Sequence, residues 1–148
     1  MRFFLLIFIL FSFLQAKTLK ENYIIEFGIV GEVAHVSATL KSSKRYYQAE
    51  ANLTVTNVIA KKVTENLKER HISKGHLSKS GQYVTDMYQM IKSYGNINST
   101  TIYKTDHKKK RVTRQYKEWK KGKLIKNKTV RLNYYGKNDL MNIFVNLP

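Results

Sequence analysis

Polar and apolar residues alternate along much of this chain with a period of two. Over Glu32–Leu40, Ala34, Val36, Ala38 and Leu40 share one face while Val33, His35, Ser37 and Thr39 share the other, which predicts a strand with one apolar side. A second β-prone run, Tyr23–Phe27, precedes it, and Gly28-Ile29-Val30-Gly31 between them supplies the glycines that a tight bend or bulge needs. The two runs predict an antiparallel hairpin. Lys41-Ser42-Ser43-Lys44-Arg45 is polar turn material, and Tyr46–Val55 continues the alternation as a further strand.

The period changes over Asn57–Arg70, where Val58, Ile59, Val63 and Leu67 fall on one side of a 3.6-residue helix. Asn57 is its N-cap, and Lys68 and Arg70 suit its C-terminal end. This helix is expected to close one end of the sheet. Ile72–Tyr94 fits two periods, since Tyr83, Met87, Met90 and Ile91 also make a helix face; the bracketing Gly75, Gly81 and Gly95 favour short strands and loop. Thr100–His107 and Arg111–Trp119 read as strands joined by a turn at Lys108-Lys109-Lys110, with Gly122 marking the next turn and Lys128–Tyr135 the strand after it. Last, Leu140, Ile143, Phe144 and Leu147 stand at i, i+3, i+4 and i+7 behind Asn138 or Asp139 as cap, which predicts a helix. If the sheet is already complete, that apolar stripe is left to dock a protein partner. The fold class is therefore mainly β: an antiparallel twisted sheet forming an open or incomplete barrel, with one or two short α-helices.

Ahead of these elements, Met1-Arg2 leads into the apolar run Phe3–Phe11, then Ser12-Phe13-Leu14-Gln15-Ala16 and the charged Lys17. One positive charge, a short apolar core and a small closing residue are the pattern of a secretory signal peptide over residues 1–16, cleaved after Ala16. Leu14 stands where a smaller residue is usual, so an uncleaved anchor is the alternative, although the run is shorter than the ~20 residues that span a bilayer. Residues 17–148 then make a single β-rich domain in the periplasm, for the only proline is Pro148 and no Gly/Ser-rich linker occurs. Cysteine is absent, which excludes disulfides, thiolate metal sites, thiol catalysis and a lipid-modified N-terminal cysteine.

Several short motifs resemble the DUF3108 family of exported bacterial proteins: Tyr23-Ile24-Ile25-Glu26-Phe27-Gly28-Ile29-Val30-Gly31-Glu32, Tyr47 with its strand, Ser73-Lys74-Gly75, and Asn138-Asp139-Leu140 leading an apolar helix. The resemblance implies a periplasmic antiparallel β fold, an open or incomplete barrel, with no catalytic activity assigned. Members usually continue with further strands after the late helix, so a shortened member, or a helix stripe covered by a partner, is expected.

Chemistry is sparse. The four histidines His35, His71, His76 and His107 lack ligand-pair spacing and a dense carboxylate cluster, so no metal is expected. The acids are scattered, without the carboxylate pair of a glycosidase, and no Gly-x-Ser-x-Gly elbow, phosphate loop or dinucleotide fingerprint is present. Neither a cofactor nor an enzymatic role is implied. A cell-wall-directed hydrolase would need a pocket gathering Asp86, His76 or His107.

The net charge of +17 favours anionic partners. It concentrates in Lys104, Lys108, Lys109, Lys110, Arg111, Arg114, Lys120 and Lys121, interleaved with Tyr116 and Trp119. Basic residues beside aromatics suit nucleic acid or an anionic membrane surface. Export favours lipid, lipopolysaccharide or another envelope component and argues against nucleic acid. Solvated turns and lysine-protected edge strands account for the same composition. Glu50-Ala51-Asn52-Leu53-Thr54 resembles the extended acidic sequon of bacterial N-glycosylation, which makes Asn52 a candidate acceptor. The functional expectation is a non-enzymatic periplasmic protein binding an apolar or anionic envelope component, with a structural or assembly factor as the alternative.

Overall fold

The computed structural model describes residues 17–145, with side chains through residue 142. The expected leader over residues 1–16 and the expected stripe residue Leu147 lie outside the described residues, as do the side chains of Ile143 and Phe144. Eight strands follow one another in a single antiparallel sheet ordered as they occur in the chain: β1 (Lys17–Phe27), β2 (Gly31–Ser42), β3 (Tyr46–Val55), β4 (Lys68–Leu77), β5 (Tyr83–Tyr94), β6 (Ile97–Asp106), β7 (Arg111–Lys120) and β8 (Lys123–Leu132). Two short helices, α1 (Val58–Val63) and α2 (Leu140–Val145), complete the described fold. β8 does not pair with β1, so the sheet is open, as the mainly β expectation had it.

The alternation of β2 and β3 decides which side is inward. In register, Ala34 lies opposite Val55, Val36 opposite Leu53, Ala38 opposite Ala51 and Leu40 opposite Ala49. Tyr23 and Leu19 of β1 face Val36 and Leu40. These residues form the inner face, the one that α2 covers. A 3-10 turn at Gly28–Val30 joins β1 to β2, where a glycine-bracketed bend was expected.

Other elements depart from the sequence expectation. The first helix ends at Val63 rather than running to Arg70, because Glu65 and Asn66 take left-handed φ values of 52° and 59° and Lys68 already opens β4. Its N-cap is Asn57, whose side chain accepts from the amides of Ile59 and Ala60 at 2.9 and 3.2 Å. Val58, Ile59 and Val63 are exposed, so the stripe is not packed against the sheet. Ile72–Tyr94, expected as short strands and loop, instead belongs to two long strands, β4 and the twelve-residue β5. The strand expected over Lys128–Tyr135 begins earlier, at Lys123. Lys121 and Gly122 take φ of 50° and 78°, the two positive values that a type I′ hairpin turn requires.

The two side chains buried most completely are polar, Ser73 and Asn142. Buried polar groups persist only when bonded, and here the bonds form a directed chain. Ser73 Oγ donates to Asp139 Oδ2 at 2.6 Å. Its proton thus committed, Ser73 accepts from the Tyr47 hydroxyl at 2.8 Å. Asn142 Nδ2 donates to Tyr47 Oη at 3.1 Å and to Thr85 Oγ1 at 2.9 Å, which leaves the Thr85 hydroxyl to donate to Tyr47 at 3.1 Å. Asp139 Oδ1 also accepts the Asn142 amide at 2.8 Å, capping α2. This network holds α2 to the middle of the sheet. Burial, with the nearby Asp139 carboxylate adding to it, pushes the Tyr47 phenol up against the opposing effect of its hydrogen bonds.

Candidate functional site

One row of directly opposed residues crosses the inner face: Leu19, Leu40, Ala49, Ser73, Tyr88, Tyr103, Arg114 and Val130, contributed in turn by β1 to β8. Its character changes along the way. The β1–β3 end is apolar, the middle carries hydroxyls and aromatic rings, and β7 brings a guanidinium. At a strand spacing of about 4.8 Å, the path along the sheet from Leu19 to Arg114 is about 29 Å.

Small side chains leave space at the apolar end. A groove of about 720 Å³ lies there, lined by Leu19, Tyr23, Val36, Ala38, Ala51 and Leu140 among others. A smaller depression of about 220 Å³ lies on the other side of α2, among Thr85, Tyr88, Tyr103, Thr105, Val112 and Asp139. Leu140 borders both. The first turn of α2 thus partitions an apolar compartment from a polar one.

A hydrogen-bonded relay connects the compartments. His71 borders the larger groove and Tyr88 the smaller, and His71 Nδ1 meets the Tyr88 hydroxyl at 2.7 Å. His71 Nε2 meets Glu69 Oε2 at 3.1 Å, and Lys92 Nζ meets Glu69 Oε1 at 2.6 Å. Burial opposes ionisation of Glu69, but the Lys92 and His71 contacts outweigh it and hold the carboxyl below its ordinary range. The Tyr88 phenol is pushed up to about 12, first by burial and then by the Asp139 and Glu69 charges. An ionised Glu69 can only accept, so the His71 Nε2–H points at it, and in that tautomer Nδ1 takes the hydrogen bond of the Tyr88 hydroxyl. The relay offers oriented hydrogen bonds rather than a free nucleophile. Arg114 has a buried Nε with no hydrogen-bond partner among the described residues. A buried cationic donor left without an acceptor costs about 1–3 kcal/mol or more, so a ligand oxygen near it would be favoured.

No family model, no curated protein and no solved structure matches this chain.

The structure does not gather the basic residues singled out in the sequence into one patch. Lys108, Lys109 and Lys110 lie in the β6–β7 turn, Asp106 Oδ1 accepting the Lys109 amide at 2.9 Å. Lys120 and Lys121 lie at the opposite end of the ten-residue β7, about 30 Å away at strand rise. Between them, Arg114 and Tyr116 alternate onto the inner face while Arg111 and Lys104 take the outer one. Tyr116 donates to Glu118, a contact that, with burial, pushes its phenol up to about 12. Trp119 sits at the bulge where the β7–β8 register shifts. Asn52 lies on the outer face of β3, its amide donating to Glu50 Oε1 at 3.2 Å; the same carboxylate receives Arg70 Nε at 2.8 Å and Nη2 at 3.0 Å.

The end of the sheet that holds Lys120 and Lys121 also carries a cluster of exposed apolar side chains. Phe27, Ile29 and Val30 at the β1–β2 turn and Val58, Ile59 and Val63 of α1 are all exposed, Ile29 completely so. Thr56 donates its amide to Val33 and its hydroxyl to Glu32, which ties α1 beside that turn. Lys61 and Lys62 stand among them. No helix among the described residues is long and apolar enough to cross a membrane.

At the other end, three residues that sequence spacing left scattered converge. His76, Asp86 and His107 bring one ligand atom each to within 4.8 Å of one another. His76 Nδ1 and His107 Nε2 lie 2.9 and 3.1 Å from Asp86 Oδ1. Nothing local to the sequence signals this, because strand register does the gathering.

Proposed function

We propose that this protein is a non-enzymatic binding module of the cell envelope whose inner face takes up an amphipathic anionic lipid. The apolar chain lies in the groove between β1–β3 and α2, and the headgroup oxygen reaches towards Arg114. The observation that carries this reading is the graded row from Leu19 to Arg114, whose greasy end adjoins about 720 Å³ of space and whose other end holds a buried guanidinium nitrogen, Arg114 Nε, without an acceptor among the described residues. Burial of an acyl chain there contributes about 0.8 kcal/mol per methylene, and a charge-assisted bond at Arg114 adds about 1.5–3 kcal/mol.

The sheet end formed by the β1–β2 turn and α1 suits contact with a bilayer, since aromatic and aliphatic side chains enter the headgroup layer while Lys61, Lys62, Lys120 and Lys121 reach phosphates. The leader over residues 1–16 and the DUF3108-like motifs support the envelope setting.

The test is direct. Protein expressed with its own leader and purified without detergent is extracted and its lipids identified by mass spectrometry, and binding of a fluorescent long-chain fatty acid is then measured. Expected are a co-purified anionic lipid, loss of probe binding in Ala51→Phe, which fills the groove, and about tenfold weaker binding in Arg114→Gln, worth ~1.4 kcal/mol. A lipid-free protein that neither binds the probe nor floats with anionic vesicles would falsify the proposal.

A further inference from the structure

The convergence of His76, Asp86 and His107 lies on a different part of the molecule from the lipid groove and is independent of what that groove holds. We infer that these three residues form a binding site for one divalent transition ion of the zinc class. His76 lies on the outer face of β4, between Tyr46 and Val84 in register. Asp86 is the extra residue of a β-bulge: the ladder pairs Lys74 with Met87 and Gly75 with Thr85, and Asp86 has no opposite number. Bulges re-aim side chains and occur beside functional sites, and this one turns a carboxylate between two imidazoles. His107 comes from the first position after β6.

Two imidazoles and one carboxylate are a donor set suited to zinc, nickel or copper, with positions left for water. The spacing fits as well. Ligand atoms about 2.0–2.1 Å from a tetrahedral zinc stand about 3.3 Å apart, and Asp86 Oδ1 lies 2.9 Å from His76 Nδ1 and 3.1 Å from His107 Nε2. An outer partner is in place too, since the Tyr135 hydroxyl lies 2.9 Å from His107 Nδ1. Outer partners of this kind orient a ligating imidazole.

Without the ion, His76 Nδ1 is hydrogen-bonded to Asp86, while His107 Nε2 bonds the Thr85 carbonyl oxygen at 2.9 Å and stands within ion-pair distance of Asp86. Loading exchanges tautomers. His76 moves its proton to Nε2, and His107 moves its proton to Nδ1, where Tyr135 accepts it. With His76 Nδ1 and His107 Nε2 turned to the ion, the Thr85 oxygen is freed for the ion or its water. The overall positive charge is screened beyond about 8 Å at physiological ionic strength, so it does not set the affinity of a site defined by coordination.

The experiment titrates chelator-treated protein with Co²⁺, whose visible absorption reports coordination number, and then displaces it with Zn²⁺. Expected are one equivalent bound with the intense bands of a four-coordinate ion, displacement by Zn²⁺, and loss of those bands in His76→Ala/His107→Ala. The isosteric Asp86→Asn, in which hydrogen bonding to the rings persists, separates lost ligation from lost folding and is expected to bind more weakly. Tyr135→Phe should weaken binding about 10–100-fold, while His35→Ala and His71→Ala leave it unchanged. Absence of Co²⁺ binding at millimolar concentration, or equal binding by folded Asp86→Asn and the double variant, overturns the assignment and leaves the cluster a proton-shared clamp.

Discussion

Single residues at the centre of the inner face tolerate little change, and each for its own reason. At Gly75 the limit is space, because an added Cβ would stand 1.9 Å from the Val84 carbonyl oxygen and 2.8 Å from Tyr47 Cε1. The closer neighbour is backbone and cannot swing aside, so Gly75→Ala should cost on the order of 3 kcal/mol as overpacking, read from the urea midpoint. At Glu69 the limit is charge. Its folded carboxyl titrates below the ordinary value of 4.5, so its ionised form stabilises the fold fully above that value and loses the effect as pH falls through the lower one. The acid limb of a stability–pH curve should flatten in Glu69→Gln. Tyr88 behaves oppositely: its folded phenol titrates near 12 against 10.0 ordinarily, so its contribution holds below 10 and is lost as pH rises toward 12. Phenolate absorbance should show a late phase at that pH, diminished in Tyr88→Phe.

Among the elements, α2 is held by polar bonds, and its release is the expected effect of cutting them. Asp139→Ala removes the acceptor of Ser73 and the cap of Asn142 together. Amide exchange over α2 should then accelerate toward the unprotected rate while β2 and β3 keep their protection, since their apolar ladder is separate. The same polarity explains which strands were legible in the sequence. β2 and β3 turn alanine, valine and leucine inward at every second position and read directly as strands. β4 turns Glu69, His71 and Ser73 inward, so its alternation carries no apolar signal and its start reads as the end of a helix. β5 loses its parity at the Asp86 bulge, which puts Thr85 and Tyr88 on one face, while Met87 and Met90, three apart as on a helix face, stand on opposite faces of the strand. The open β fold was thus readable, and the site was not. The polar residues that build the site are the ones that erase the strand pattern, and His76, Asp86 and His107 meet only through pairing of distant positions. The late Asn138-Asp139-Leu140 motif stood out in the sequence as a helix start, but its role in anchoring that helix to Tyr47, Ser73 and Thr85 needed the fold.

For the molecule as a whole, cations are spread over both ends and both faces, so attraction to an anionic surface is long-ranged and orientation must come from elsewhere. The apolar end at Phe27, Ile29 and Ile59 is the candidate. Flotation with anionic vesicles should weaken steeply between 0.1 M and 1 M salt, as the screening length falls from about 10 Å to about 3 Å. Phe27→Ser/Ile29→Ser should remove the residual, salt-resistant part. Because β8 never meets β1, the inner face has no rim to thread. On the proposed lipid-binding reading, a guest enters sideways through that unpaired seam. Its loading rate would then be set by how far the two outermost ribbons splay, and stitching them together with an engineered cross-link would trap whatever lies between.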